Sequence, residues 1–435
     1  MKTLAEIKLW GKTIGAVSLD ENQRFAEFEY DSSFIKSAIQ LSPIMMPLKP
    51  GVYKFSELEF GTFHGLPGLL SDSIPDKFGN SLIDVWLSKQ GRLPESFNAV
   101  ERLCYTGKRG MGALEYYPLI SDKEIDSKIK VDELVELATM VLTNRENLKT
   151  VLDECDKKNM KKSLSQIISV GTSAGGARAK AVIAWNPATN EIRSGQVDTE
   201  KGFEHWLIKF SGVSGNKDKE DEDREDFGII EYAYYLMAKS CGINMSECRI
   251  LDDGKNSHFM TRRFDRTVDG KKLHMQTLCA LSHFDFNQAG IYSYEQVFTI
   301  LNKLHSPHSD SVEMFRRMVF NILAYNCDDH TKNISFLMNK SGKWTLSPAY
   351  DVSFSYNPNG LWTSSHQMCV NGKRKNFIEN DFETCAKIGN LSKKEISESI
   401  NKVKSALLKW KDFATKAGLS EKRADEINSI LKEGF

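Results

Sequence analysis

The order of apolar and polar residues along the chain changes period several times, and each change marks an element. The opening alternates: Ala5–Trp10, Thr13–Ser18 and Phe25–Tyr30 read as short strands, with a tight turn at Gly11-Lys12. Pro47 to Gly51 breaks the pattern, and Phe60 to Gly79 is dense in turn formers around apolar anchors, which predicts a rigid corner or a binding surface. From Val131 to Leu164 the period is helical, with Leu134, Leu137, Met140 and Val141 on one face, and it fades at Ile167 to Val170. Strands follow at Ala181–Trp185 and Phe203–Phe210, then a helix from Phe227 to Lys239 with Cys241-Gly242 as its C-cap. A hairpin is predicted from Arg249 to Arg266, turning at Asp253-Gly254. Val312–Tyr325 is again helical, with Asp310 or Ser311 as cap. Ile334–Met338 and Trp344–Leu346 form a second hairpin around Asn339 to Gly342. The stretch from Ser392 to Leu431 reads as two helices split near Ala417 to Ser420, with Leu407, Leu408 and Trp410 as a core stripe.

At 435 residues the chain has room for two or three domains with proper cores. Its 58 basic and 58 acidic residues cancel, which argues against broad nonspecific nucleic-acid binding. No apolar run approaches a membrane span, and Met1 to Glu6 lacks the apolar core of a signal peptide, so a cytoplasmic location with no membrane partner is expected. The eight cysteines are scattered without a C-x-x-C pair, which predicts reduced thiols rather than a zinc site or disulfides.

Candidate chemistry concentrates at Cys327-Asp-Asp-His-Thr-Lys-Asn333 and at Asp351. A hairpin returns the chain to its starting point, so Asp351 is expected beside Asn333. Two carboxylates and an amide oxygen on neighbouring loops are hard ligands suited to Mg²⁺ with phosphates. That set fits phosphoryl transfer to a hydroxyl, with one Asp as base and an Asn and a second Asp on the metal. The D-x-x-x-x-N spacing selects Asp328 over Asp329. Upstream, Gly171 to Lys180 is a glycine-rich turn able to aim backbone N–H groups at phosphates, although it is neither a Walker loop nor G-x-G-x-x-G. Two lysines compete for the phosphate contact, Lys180 and Lys209; the order of glycine turn, strand, turn, strand with lysine and helix favours Lys209, with Glu231 as its partner. Gly107 to Ala113, lacking a strand–turn–helix context, reads as packing. The charge run 214–226 reads as a solvated loop.

Taken together, Gly65-Leu-Pro-Gly68, Asp72-Ser-Ile-Pro-Asp76, Ser173 with Gly176-Ala-Arg-Ala-Lys180, Arg263-Phe-Asp-Arg266, Asp328-x-His-x-Lys-Asn333 and Tyr350-Asp351 resemble the HipA family of bacterial serine/threonine kinases, toxins of HipA–HipB modules. The resemblance implies an α+β fold: a small β-rich N-terminal domain (1–125) ahead of a protein-kinase-like bilobal core. Its N-lobe would span 126–265 and its all-α C-lobe 266–435. Asp328 would be the general base, Asn333 and Asp351 the Mg²⁺ ligands and Lys209 the lysine on the phosphates of ATP. Nucleotide contacts would come from Gly175, Gly176, Ala177, Arg178, Ala179, Lys180, Arg262, Arg263, Phe264, His330, Lys332 and Tyr350. Arg178-Ala179 departs from the Gln with Glu or Pro common in members, and Arg262 from a frequent acidic residue. Ser173 matches a serine that members phosphorylate on themselves. Implied partners are a HipB-like helix-turn-helix antitoxin dimer, operator DNA through that antitoxin, and an aminoacyl-tRNA synthetase, the glutamyl enzyme, as substrate. A small-molecule phosphotransferase shares the Asp–Asn–Asp set, and a non-catalytic co-repressor is the reading from another class.

Overall fold

The computed structural model describes residues 2–120, 128–144, 147–158, 160–170, 178–195, 201–214, 226–267 and 269–432. Ser173, Gly175, Gly176, Ala177 and most of the charge run lie outside the described residues. The fold is mixed α+β and forms two compact units, one of residues 1–39, 48–228 and 249–274, the other of 40–47, 229–248 and 275–435.

In the first unit, strands β1 (Lys2–Leu9), β2 (Lys12–Asp20), β3 (Glu27–Tyr30), β4 (Val52–Tyr53) and β5 (Leu114–Tyr117) make an antiparallel sheet in the order β4-β3-β2-β1-β5. Trp10 and Gly11, both at positive φ, close the β1–β2 hairpin, the mirror-image turn that matches strand twist. Gly15 of β2 lies against β3 so closely that a Cβ would sit 2.2 Å from the Glu29 carbonyl oxygen. A second antiparallel sheet, in the order β7-β6-β8-β10-β9, contains β6 (Lys180–Asn186), β7 (Glu191–Ser194), β8 (Glu204–Lys209), β9 (Cys248–Asp252) and β10 (Ser257–Arg262). Alternation along β8 holds as expected: Trp206 and Ile208 are buried, while Leu207 and Lys209 lie on the other, partly open face.

Helices cover the buried face of that sheet. The expected single helix is three, Val131–Thr143, Leu148–Lys157 and Lys161–Val170. Helical structure therefore runs past Ile167 instead of fading there, because Leu164, Ile167 and Ile168 belong to one core with Trp206 and Ile208. The corner around Pro75 also starts a helix, Lys77–Lys89. Asp76 caps it by accepting from the Gly79 N–H at 2.7 Å, and Phe78, Leu82, Val85 and Trp86 enter the same core.

Gly107 to Ala113 does more than pack. The Asp265 carboxylate accepts from the Gly112 N–H at 2.7 Å, from Arg263 Nε and Nη2 at 2.9 and 2.7 Å, and from Arg266 Nη1 at 2.8 Å. The Gly112 carbonyl in turn accepts from Arg266 at 3.1 Å. Burial alone would raise the Asp265 pKa, but the two guanidinium charges hold it well below the usual carboxylate range.

The second unit is mainly helical: Tyr294–Lys303, His308–Leu323, Glu379–Ile388, Lys393–Leu407, Trp410–Ala417 and Glu421–Leu431. The helix Phe227–Ser240 ends as expected, with Gly242 at φ +79°. A three-stranded sheet of β11 (His274–Thr277), β12 (Ser335–Met338) and β13 (Trp344–Leu346) completes the unit. Two expectations are corrected. The helix His308–Leu323 starts after Pro307, so Asp310 lies inside it and accepts from the Leu346 N–H at 2.8 Å, fastening the hairpin instead of capping. The C-terminal stretch holds three helices, in which Leu407 and Trp410 are buried but Leu408 is 80% exposed. Among the described residues no helix is long and apolar enough to cross a membrane.

Replacing Asp265 with Ala would leave two buried guanidinium ions facing each other and should lower stability by about 3–5 kcal/mol, read from urea unfolding. Because the Asp265 pKa is depressed in the folded state, its contribution is present above the unfolded value near 4 and disappears as pH falls. The variant should therefore lose part of the acid sensitivity of the wild type.

Candidate active site

The helix His308–Leu323 ends one turn before the candidate loop, with Tyr325 at φ +52° and the Asn326 N–H on the Asn321 carbonyl at 2.9 Å. From Cys327 the chain runs over the start of the β12–β13 hairpin, whose register pairs Phe336 with Leu346 and Met338 with Trp344. The hairpin delivers Tyr350 and Asp351 next to Asn333. The Tyr350 hydroxyl bonds the Lys332 carbonyl at 2.6 Å and the Ser335 hydroxyl, while the Ala349 N–H donates to the Asn244 carbonyl at 2.8 Å. Arg317, buried and paired with Glu313 at 2.8 Å, also donates to the Ser347 carbonyl at 2.8 Å. Asp351 itself sits at φ +54°, a left-handed conformation that Asp tolerates better than most residues.

Within the loop, Asn333 Nδ2 donates to the Asp328 main-chain carbonyl at 2.8 Å. This closes the D-x-x-x-x-N segment into a ring and turns the amide oxygen of Asn333 to other use. Asn333 and Asp351 line one cleft with His330, Asp329 and Tyr350. Asp351 is also near enough to Asp328 for its charge to act on it. The Asp328 pKa is raised, first by burial among the surrounding loops and further by Asp351 and Asp329; His330 and a hydrogen bond from Trp362 oppose the rise. The side chain still keeps 41% of its surface open. As hard oxygen donors, the Asn333 amide and Asp351 carboxylate suit Mg²⁺, which takes few protein ligands and fills its shell with water and phosphate. Among the described residues no group of three or more His, Cys, Asp or Glu able to hold a metal occurs.

The two consecutive acids differ completely. Asp329 is buried, and its Oδ2 accepts from the Tyr294 hydroxyl at 2.9 Å and from His366 Nδ1 at 3.1 Å, while its Oδ1 accepts from the Gln367 N–H at 2.7 Å. With three donors on it, Asp329 is an anchor. Burial would push the His366 pKa down, but the charge and hydrogen bond of Asp329 hold it up at about 10, so the imidazole is cationic. Its Nε2 lies 3.7 Å from Cys327 Sγ. Cys327 is buried in the loop beyond the helix His308–Leu323.

His330 and Lys332, expected on the nucleotide, both meet Phe286: the His330 ring at 5.2 Å between centroids, the Lys332 ammonium at 4.7 Å. Phe286, Trp362, His366 and Gln367 escaped the sequence reading. They lie in irregular segments without motif or period, and the acidic pair at 328–329, which needs donors, was the one available hint.

In the first unit, Lys209 faces Lys180 directly across β8 and β6, so the two ammonium groups emerge on one face of the sheet. Lys180 is almost wholly buried and lies 3.4 Å from Asp76, an ion pair it would have to leave to meet a phosphate. The Lys209 ammonium lies over the Phe259 ring at 5.6 Å. Arg178 stacks on Phe227 at 3.9 Å, and the Ala179 carbonyl accepts from the Phe210 N–H. The Arg263 guanidinium pairs with Asp265, and its N–H donates to the His205 carbonyl at 2.9 Å. Arg262 pairs with Glu204 at 3.4 Å, and Phe264 follows the end of β10 half-buried.

Two protein families match the chain: the HipA N-terminal domain over residues 5–117 and the HipA-like C-terminal domain over residues 172–429. A Haemophilus influenzae relative is 30% identical over 134 residues, 28% of this chain and 39% of that one. The serine/threonine-protein kinase toxin HipA of Shewanella oneidensis is 26% identical over 145 residues, 28% of this chain and 33% of that one. The chain thus aligns with only about a third of the length of each relative. Among solved structures, HipA from the Shewanella oneidensis complex of HipA, HipB and operator DNA superposes with a TM-score of 0.65 at 17% identity. The match covers 99% of this chain and 95% of that chain, a likeness of fold.

The Asp329–His366 pair gives a pH signature. A histidine raised in the folded state stabilises fully below its unfolded pKa near 6.5 and loses that contribution as pH rises to about 10. Urea midpoints of wild type and His366→Gln should differ most at pH 6 and converge toward pH 10.

Proposed function

The chain belongs to the HipA family, and we propose that it is an ATP- and Mg²⁺-dependent kinase that phosphorylates serine or threonine on a protein. The observation that carries this reading is the closed loop in which Asn333 holds the Asp328 carbonyl while Asp351 is brought beside Asn333. Asp328, partly exposed and with its pKa raised, accepts the proton of the attacking hydroxyl. Asn333 and Asp351 hold Mg²⁺, which when bound neutralises charge on the phosphates being transferred. Lys209 contacts the phosphates, since Lys180 is tied to Asp76. His330, Lys332 and Tyr350 keep the loop in shape and border the nucleotide. Gly175, Gly176 and Ala177 contribute nucleotide contacts, and phosphorylation of Ser173, two positions before them in sequence, would repel ATP through about two added negative charges.

In the cell we infer a toxin restrained by a HipB-like helix-turn-helix antitoxin dimer that takes it to operator DNA. The substrate is a translation component of the aminoacyl-tRNA synthetase class, the glutamyl enzyme being the first to try. Support comes from family membership and from the likeness in fold to the Shewanella HipA in its antitoxin and DNA complex.

Incubation with labelled ATP and Mg²⁺, first alone and then with purified glutamyl-tRNA synthetase, tests the reading. Wild type should label itself and the acceptor, and Asp328→Asn should reduce both at least a hundredfold. Absence of transfer by well-folded wild type to any protein would end it. Lys209→Ala should weaken ATP binding roughly tenfold by calorimetry, whereas Asp328→Asn should leave it nearly unchanged.

A further inference from the structure

We propose that Trp362 is a positioning residue for phosphoryl transfer: its indole N–H holds one oxygen of Asp328 so that the other faces the acceptor hydroxyl. This rests on the kinase reading above and adds to it a residue outside the Asp–Asn–Asp set. Trp362 Nε1 donates to Asp328 Oδ1 at 2.6 Å, a short bond of the charge-assisted kind. The indole also lies edge-on to His330 at 6.4 Å between centroids, and His330 Nε2 stands 3.8 Å from the same oxygen.

The tryptophan is itself held in place. Its carbonyl accepts from the Gln367 side-chain amide, and the Gln367 N–H donates to Asp329 Oδ1 at 2.7 Å. Earlier in the same segment, the Ser355 N–H donates to the Tyr325 carbonyl at 3.1 Å. The stretch following Asp351 is thus bound back onto the loop at Tyr325, Asp328 and Asp329. Leu361, the neighbour of Trp362, is fully exposed, so apolar burial of the preceding residue does not fix the indole.

For a base, direction matters as much as basicity. An aspartate has two side-chain torsions, and a carboxylate beside the charges of Asp351 and Asp329 is pushed to turn. Asn333 holds the Asp328 main chain from one side and Trp362 holds Oδ1 from the other, which leaves Oδ2 as the oxygen presented to a hydroxyl. Phenylalanine at 362 would keep the ring against His330 but lose the donor.

The test compares wild type, Trp362→Phe, Trp362→His and Asp328→Asn, with labelled ATP and dephosphorylated casein as a generic acceptor. Trp362→Phe should lower kcat about tenfold while ATP affinity and the melting temperature stay close to wild type. Trp362→His, which retains a ring N–H, should recover part of the loss. The double variant Asp328→Asn/Trp362→Phe should be no slower than Asp328→Asn, because the tryptophan acts through that carboxylate. Full kcat in Trp362→Phe would overturn the inference, as would a fall in ATP affinity or melting temperature parallel to kcat. A further tenfold loss in the double variant would overturn it too. A wild type that labels neither itself nor any acceptor would sink the kinase reading and this inference together, whereas an active wild type with an inactive Asp328→Asn leaves the former standing and lets Trp362 decide the latter.

Discussion

A buried carboxylate with three donors holds the second unit's candidate-site loops in place. Asp329 cannot be removed from water without replacement partners, since an unpaired charge in the interior costs several kcal/mol. Its donors come from far apart in sequence: Tyr294 on a helix, His366 and Gln367 on the segment beyond Asp351. Satisfying one side chain therefore draws both segments onto the Cys327–Asn333 loop. The neighbouring Asp328 is left more open to water, and Trp362 reaches it because the same segment has been drawn in. Two adjacent acids thus meet different surroundings, one tied down by three donors and the other partly exposed.

The first unit applies the same physics at Asp265. There the donors are Arg263, Arg266 and the backbone of the Gly107 to Ala113 stretch, so the chain leaving β10 is fastened to the N-terminal sheet's own loop. Lys180 and Asp76 add a second buried pair, joining the start of β6 to the N-cap of the helix Lys77–Lys89. Family matches on residues 5–117 and 172–429 leave the 118–171 stretch between them, yet its helices share one core with strands of the second sheet and with Trp86. The first unit is therefore not separable at those sequence boundaries.

For the proposed chemistry, these buried pairs matter through rigidity. Mg²⁺ ligands and a base must keep their geometry within a fraction of an ångström. Here Asp351 is held by Tyr350, by Arg317 through Ser347 and by the Ala349–Asn244 bond, all hydrogen bonds onto main-chain carbonyls.

The candidate site was legible in the sequence where its geometry is local. The hairpin from Ile334 to Leu346 returns the chain within a few residues, so its turn chemistry alone placed Asp351 beside Asn333. Alternation in β8 likewise assigned Lys209 and Trp206 to opposite faces. Elsewhere propensity competed with packing. Gly and Pro around Asp76 masked a helix start, and Asp310 looked like a cap until the hairpin offered it an N–H. Only tertiary structure could show that Asp329 is consumed by Tyr294, His366 and Gln367, that Arg263 belongs to Asp265, or that an indole in an unpatterned loop reaches Asp328. Periodicity reports how a residue sits on its own element; the partner of a buried charge is chosen by whichever distant donor folding brings within hydrogen-bond reach.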